Sequence, residues 1–274
     1  MRNIGRKLAF VLASSNHGTM IVNRFDYRMQ EGGGIGVGYQ LLEQGCFDPV
    51  EVELAVQLLE QRRRYHGDGA VAIDCGANIG VHTVEWAVAM TGWGSVIAIE
   101  AQERIYYALA GNIAINNAFN AICMHAAVSS ESGIMKIPEP DYCTASSFGS
   151  LELRQSATNE FIGQAVDYSD GKTVPVQKLA IDDMRLPRLD MIKIDIEGME
   201  LEALQGARQT IERCRPIMLI EQIKTGRDQL RAWLVDRGYE VIDAGINILA
   251  IHKADPTLQE IKLPQVQQTQ SSAA

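Results

Sequence analysis

Val71-Ala72-Ile73-Asp74-Cys75-Gly76-Ala77-Asn78-Ile79-Gly80 decides the fold. A short apolar run ends in an acid, passes a small-residue turn and opens into Val81-His82-Thr83-Val84-Glu85-Trp86-Ala87-Val88. That pattern predicts a buried strand, a tight turn and a helix, the opening unit of a doubly wound α/β sheet. Gly76 frees the turn from side-chain hindrance, and Gly80 lets helix and strand approach closely. The turn aims backbone N–H groups at a ligand above the strand end.

The spacing separates two kinds of nucleotide. A dinucleotide fingerprint needs G-x-G-x-x-G, whose middle glycine admits a pyrophosphate. Here Gly76 and Gly80 stand as G-x-x-x-G, with Asn78 at the middle position. Asp74 places a carboxylate before the turn, which repels a diphosphate and suits a cationic amino-acid group. The next strand, Ser95–Ile99, ends at Glu100, some 20 residues beyond Gly80, where a carboxylate can hold a ribose diol. Together these features point to S-adenosylmethionine. Its expected contacts are Asp74, Gly76, Ala77, Asn78, Gly80, Thr83, Glu100, Ala101, Ala126 and Asp195.

Bulk properties exclude several classes. The 274 residues can bury one large core, and 46% hydrophobic with 22% charged residues is ordinary for a globular chain. A net charge of −9 argues against a nucleic-acid partner. No apolar run reaches the ~20 residues of a membrane span. Ala9–Ala13 after Arg2, Arg6 and Lys7 is too short for a signal peptide. Cysteines 46, 75, 123, 143 and 214 are odd in number and lack C-x-x-C spacing, so a cytoplasmic chain is expected.

Outward from the turn, residues 1–47 are expected to form an extension or lid, residues 48–255 the main domain, and 264–274 a disordered tail. Gly18–Val22 followed by Asn23–Asp26 reads as a strand and polar turn, and Gly32–Gly38 as a connector or lid. Asp48-Pro49 predicts a helix start, the acid capping it, with Val52, Ala55, Leu58 and Leu59 inward. Arg62-Arg63-Arg64 reads as a solvated, dipole-favoured helix end. A helix to about Asn116 should bury Ile105, Leu109, Ile113 and Ile115, and Ala121–Val128 a third strand whose end lies over the adenine. His125 can touch the base or sit as a structural side chain. Residues 138–172 read as a substrate-side insertion.

A second informative stretch is Leu189-Asp190-Met191-Ile192-Lys193-Ile194-Asp195-Ile196-Glu197-Gly198-Met199-Glu200, a strand interrupted by Lys193. The following helix carries Leu201, Leu204 and Ile211, with Gly206-Ala207 permitting close packing. Pro216–Glu221 is another strand ending in an acid, then a helix at about 225–237 and a closing hairpin over 239–252. Asp74, Glu100, Asp195 and Glu221 therefore meet at one sheet edge, with Glu197 beside them.

These residues resemble the FkbM family of S-adenosylmethionine-dependent methyltransferases over roughly residues 40–252. The resemblance rests on D-C-G-A-N-I-G-V-H-T (74–83), Glu100, Ile181-Asp182-Asp183, I-K-I-D-I-E-G-M-E-L-E-A-L-Q-G-A (192–207) and R-P-I-M-L-I-E (215–221). One departure is Ala101-Gln102, where the family usually has proline after the acid. The resemblance implies the class I methyltransferase fold, a Rossmann-like sheet ordered 3-2-1-4-5-7-6 with the last strand antiparallel. It also implies methyl transfer, typically to a hydroxyl of a sugar or other small metabolite. A carboxylate base is then expected among Asp195, Glu197 and Glu221. Asp195 and Glu197 can instead cap the following helix, and for Glu197 the two readings stand equal. A metal is not expected, and His82 is expected to pack. The rival readings are a nicotinamide-dependent oxidoreductase, which the missing glycine opposes, and a non-catalytic nucleoside-binding protein.

Overall fold

The computed structural model describes residues 7–260. The N-terminal extension forms β1 (Phe10–Ser15), β2 (Gly18–Asn23), β3 (Arg28–Gln30), β4 (Gly33–Ile35) and α1 (Val37–Gln44). The domain continues with α2 (Pro49–His66), β5 (Ala70–Cys75), α3 (Val81–Ala89), β6 (Gly94–Glu100), α4 (Glu103–Ile115), β7 (Ala121–Val128) and β8 (Gly133–Pro138). After a long, largely irregular segment come β9 (Thr173–Leu179), β10 (Met191–Ile194), α5 (Glu200–Gly206), α6 (Arg208–Cys214), β11 (Ile217–Glu221), α7 (Arg227–Val235), β12 (Tyr239–Ala244) and β13 (Asn247–His252). No helix among the described residues is long and apolar enough to cross a membrane. The tail expected at 264–274 lies outside the described residues.

One nine-stranded sheet runs β12-β13-β11-β10-β5-β6-β7-β9-β8. Its first seven strands reproduce the class I order: β5, β6, β7, β10 and β11 are parallel, and β13 enters antiparallel beside β11. Side chains alternate across the sheet. Ile73 and Cys75 pack with Leu204, Ile211 and Leu230 of α5–α7. Ala70 and Ala72 pack with Leu58 of α2 and Trp86 of α3 on the other face.

The strands β8 and β9 enlarge this sheet and embrace the irregular segment. Their pairing is antiparallel, and β9 lies parallel to β7 only over Gln177–Leu179. Pro175 therefore falls beyond the β7 ladder, where its missing N–H is harmless. The sequence did not disclose β8, because Ile134–Ile137 is short and flanked by turn formers. Likewise α1 was not anticipated: the connector or lid expected over Gly32–Gly38 runs into it at Val37, although glycines bracket the helix, Gly36 preceding it and Gly45 ending it in a left-handed turn.

Three further expectations are corrected. Arg62 is buried, pairing with Asp255 and lying 3.4 Å from Asp190, whereas Arg63 and Arg64 are solvated as expected. Ile115 is exposed at the last turn of α4. The helix after β10 breaks into two at Ala207, and Gly206 packs where a Cβ would fall 2.1 Å from the Ser129 carbonyl oxygen.

The extension is stitched to α4 by two asparagines. Asn112, fully buried, accepts from Ile21 N at 2.5 Å and donates to the carbonyls of Ile79 (2.7 Å) and Ile21 (3.2 Å). Asn116 accepts from Thr19 N at 3.1 Å. Replacing Asn112 by alanine strands buried polar groups at a cost of roughly 1–3 kcal/mol. Asn112→Ala should lower the urea midpoint and expose residues 7–47 to limited proteolysis ahead of the sheet.

Candidate active site

The cavity lies over the C-terminal edge of the sheet, and the turn after β5 forms its floor. Gly76 is in the left-handed region (φ +76°), and a Cβ there would fall 1.8 Å from the Asp195 carbonyl oxygen. Only glycine lets the β5 turn touch the end of β10 so closely. The N–H groups of Gly76 and Ala77 both donate to Ile99 O, at 2.9 and 3.0 Å, tying the turn to β6. Gly80 allows a close approach of a different kind from the one expected, since its nearest neighbour is the Leu109 side chain of α4.

Glu100 closes the turn from the other side. It is buried and accepts from Asn78 N at 2.9 Å and Gln102 N at 2.7 Å, one bond on each oxygen. Each oxygen keeps a lone pair, so a vicinal diol can still be held. Burial pushes its carboxyl up to about 7, and the backbone donors only partly oppose this. Ala101 and Ala126 line the same end of the cavity. His125 turns away: its Nε2 lies 2.9 Å from Ala101 O and its ring stacks on Tyr106, so its role is structural.

Gly76, Asn78, Glu100, Ala101, Ala126 and Asp195 line the cavity, together with Glu197 and Glu221. Asp74, Ala77, Gly80 and Thr83 stand behind the wall. Asp74 Oδ2 accepts from Thr83 Oγ1 at 2.6 Å, while its buried Oδ1 accepts no hydrogen bond from any described residue. His82 packs against Phe47 and Trp86 and pairs with Glu51 at 3.2 Å.

At the other end Asp195, Glu197 and Glu221 bring one oxygen each to within 4.8 Å of one another. They differ in their partners. Lys193 Nζ lies 2.8 Å from Asp195 Oδ2. Lys224 Nζ lies 2.5 Å from Glu197 Oε2 and 3.0 Å from Glu160 Oε2, and donates to Ser150 O at 3.0 Å. The Glu221 carboxylate has no cationic partner among the described residues, and its buried Oε2 accepts no hydrogen bond there. Burial raises Glu197 well above the carboxylate range, and the charges of Asp195 and Glu221 add to this. Burial and the Asp195 charge push Glu221 up to about 8. For Lys193 burial opposes the charge, but Asp195, Asp74 and Glu51 outweigh it and move its ammonium upward.

The capping role considered for Asp195 and Glu197 belongs to neither. The α5 N-terminus receives no side-chain cap, and Glu197 itself sits at φ 56°. Glu200, fully buried, instead accepts from Ile196 N and Gly198 N, both at 3.1 Å, and from the Thr225 hydroxyl. Glu200 and Lys224 are therefore site-shaping residues that sequence reasoning missed. The D-x-E-G-x-E spacing was the available signal for the first; the second acts through partners far away in the chain.

The extension and the insertion supply the roof. Ile35–Val37 and Phe47 line the cavity from one, Ser147 and Gly149–Leu151 from the other. Buried Asp26 knots them together, accepting from Gly38 N and Phe148 N, each at 2.9 Å. Burial raises Asp26 to about 6 against the pull of those donors.

A sequence model described as Methyltransferase FkbM domain matches residues 74–241, which contain the turn, Glu100 and all three clustered acids. The chain belongs to the FkbM methyltransferase family. It is similar to methyltransferase sdnD of Sordaria araneosa, at 26% identity over 190 residues, covering 62% of this chain and 73% of that one. Among solved structures, methyltransferase FkbM from Methylobacillus flagellatus is 19% identical with a TM-score of 0.48, covering 68% of this chain. The present chain spans 44% of that protein's length. A precorrin-6y C5,15-methyltransferase from Geobacter metallireducens is 15% identical, TM-score 0.42, over 76% of this chain and 89% of the other.

Membership in the FkbM family makes S-adenosylmethionine the cofactor and sets aside the nicotinamide reading. The residues present fit that group. Glu100 retains diol-accepting capacity and the Gly76 turn is bare of side chain, both at the cavity wall, while Asp74 behind it keeps a buried oxygen that accepts no hydrogen bond from any described residue.

Glu100 has a measurable signature in the cofactor-free protein. Its folded-state pKa lies above the unfolded value, so between about pH 4.5 and 7 the folded chain binds the extra proton. The Glu100 contribution to stability is thus greatest below about pH 4.5 and is lost as pH rises toward 7, on the order of 3 kcal/mol. The stability difference between wild type and Glu100→Gln, followed by urea unfolding, should shift against wild type across that window.

Proposed function

We propose that the chain is a cytoplasmic O-methyltransferase, transferring the methyl of S-adenosylmethionine to a hydroxyl of a small metabolite or sugar. The observation that carries this reading is Glu221: a carboxylate on the cavity wall, without a cationic partner among the described residues, beside two acids that each hold a lysine. An attacking hydroxyl must lose its proton, and a base is most effective when its pKa lies near the working pH. Glu221, up to about 8, meets that requirement.

Glu100 would hold the ribose diol and Gly76–Asn78 the wall beneath the nucleoside. When bound, S-adenosylmethionine supplies an electrophilic methyl on a cationic sulfur. The chain's own task is then alignment and proton removal, and alignment of this kind is worth ~7–11 kcal/mol. Asp195, held by Lys193, and Glu197, held by Lys224, would fix the acceptor's hydroxyls as hydrogen-bond acceptors. The roof from residues 1–47 and 138–172 would select the acceptor and exclude water. The net charge of −9 argues against a nucleic-acid acceptor, and the five unpaired cysteines suit a reducing compartment.

Incubation with 13C-methyl S-adenosylmethionine and pooled hydroxyl-bearing metabolites should give product carbons in the methoxyl region of the NMR spectrum; exclusively N- or C-methyl products would contradict the reading. For the acceptor so found, kcat/KM should rise with pH through about 8 as Glu221 deprotonates. Glu221→Gln should lower kcat 10²–10⁴-fold and abolish that rise while leaving cofactor affinity within a few fold.

A further inference from the structure

Asp48 was expected to cap α2, and it does not. It stands at the N-cap position in the left-handed region (φ 38°), and its side chain makes no capping hydrogen bond. Among the described residues it has no ion-pair partner either, yet it lines the cavity, half-buried. Three other cavity acids are committed, Glu100 to two backbone donors, Asp195 to Lys193 and Glu197 to Lys224, while Glu221, without a cationic partner among the described residues, is the base proposed above.

The charges around Asp48 are unbalanced. Glu51 and Asp195 raise its proton affinity, after burial, and Lys193 and His82 oppose them. Lys193 already serves Asp195, Asp74 and Glu51. This end of the cavity therefore holds more carboxylate than cation, and a ligand that brings a positive group relieves the deficit. The charges that act on Asp48 are those of Glu51, His82, Lys193 and Asp195, and Glu100 is not among them. With Glu100 assigned to the sugar of the nucleoside, the group arriving near Asp48 would be the amino-acid end of the cofactor.

We propose that Asp48 binds the α-ammonium of the cofactor's amino-acid end, making the residue before α2 part of the cofactor site. The proposal rests on the S-adenosylmethionine reading above. The left-handed backbone at Asp48 keeps its carboxylate from capping α2 and leaves it at the cavity wall. An ammonium–carboxylate hydrogen bond in a partly desolvated site is among the stronger kinds.

The test is calorimetric titration of the full chain with S-adenosylhomocysteine, its Nα-acetyl derivative and 5′-methylthioadenosine, the last lacking the amino-acid end altogether. Asp48→Asn keeps the fold within reach, because asparagine tolerates the left-handed region as well as aspartate. It should weaken S-adenosylhomocysteine roughly tenfold or more, the range of a charge-assisted bond. It should leave 5′-methylthioadenosine and the acetylated ligand within twofold of wild type, whereas Glu100→Gln should weaken all three. Unchanged S-adenosylhomocysteine affinity in Asp48→Asn, or an equal loss for all three ligands, would overturn the proposal while leaving the cofactor reading intact. Wild-type protein that binds none of them would overturn both.

Discussion

Like charges gathered at one sheet edge repel, and four strands of this chain deliver carboxylates to the same edge: Asp74, Glu100, Asp195 and Glu221. The buried ammonium of Lys193 lets several of them coexist. It sits in register with Asp74 on the neighbouring strand and 2.8 Å from Asp195. Removing one partner from such a buried arrangement typically costs 3–5 kcal/mol, because the remaining charge is left uncompensated. Lys193 therefore holds the β5 and β10 ends together electrostatically where Gly76 lets them touch sterically. The cavity floor depends on both.

Around that floor, partners distant in sequence sort the remaining acids by state. Lys224 reaches Glu197, Glu160 and Ser150 at once, and Glu160 is also 2.5 Å from Arg28 of β3. The extension, the insertion and the active-site turn are thus joined through a chain of charges. Glu200 supplies the same turn with the acceptors its backbone needs. Among the described residues Glu221 and Asp48 are left without a cationic partner, and they are the groups proposed as base and as ammonium acceptor.

Much of this was legible in the sequence. Short apolar runs ending in acids marked β5, β6, β10 and β11 and their common edge, since a strand end that carries a charge announces both its boundary and its exposure. The family motif then supplied the strand order, which the structure reproduces over seven strands. The failures have physical causes. Arg62 was misread because its partners, Asp190 and Asp255, are brought to it only by folding. β8 was invisible because its pattern is too short to show a period. Asp48 was read as a cap from its residue type and Pro49, whereas the backbone there adopts a left-handed turn that points the carboxylate elsewhere. The roof could not be anticipated, because Asp26 binds segments more than a hundred residues apart.

The central claim is that the sheet edge is a site for S-adenosylmethionine. Calorimetric titration of wild-type protein with S-adenosylmethionine, S-adenosylhomocysteine and NADH tests it most directly. The account predicts saturable one-to-one binding of the first two and none of NADH. Binding of NADH alone, or of none of the three by folded protein, would contradict it.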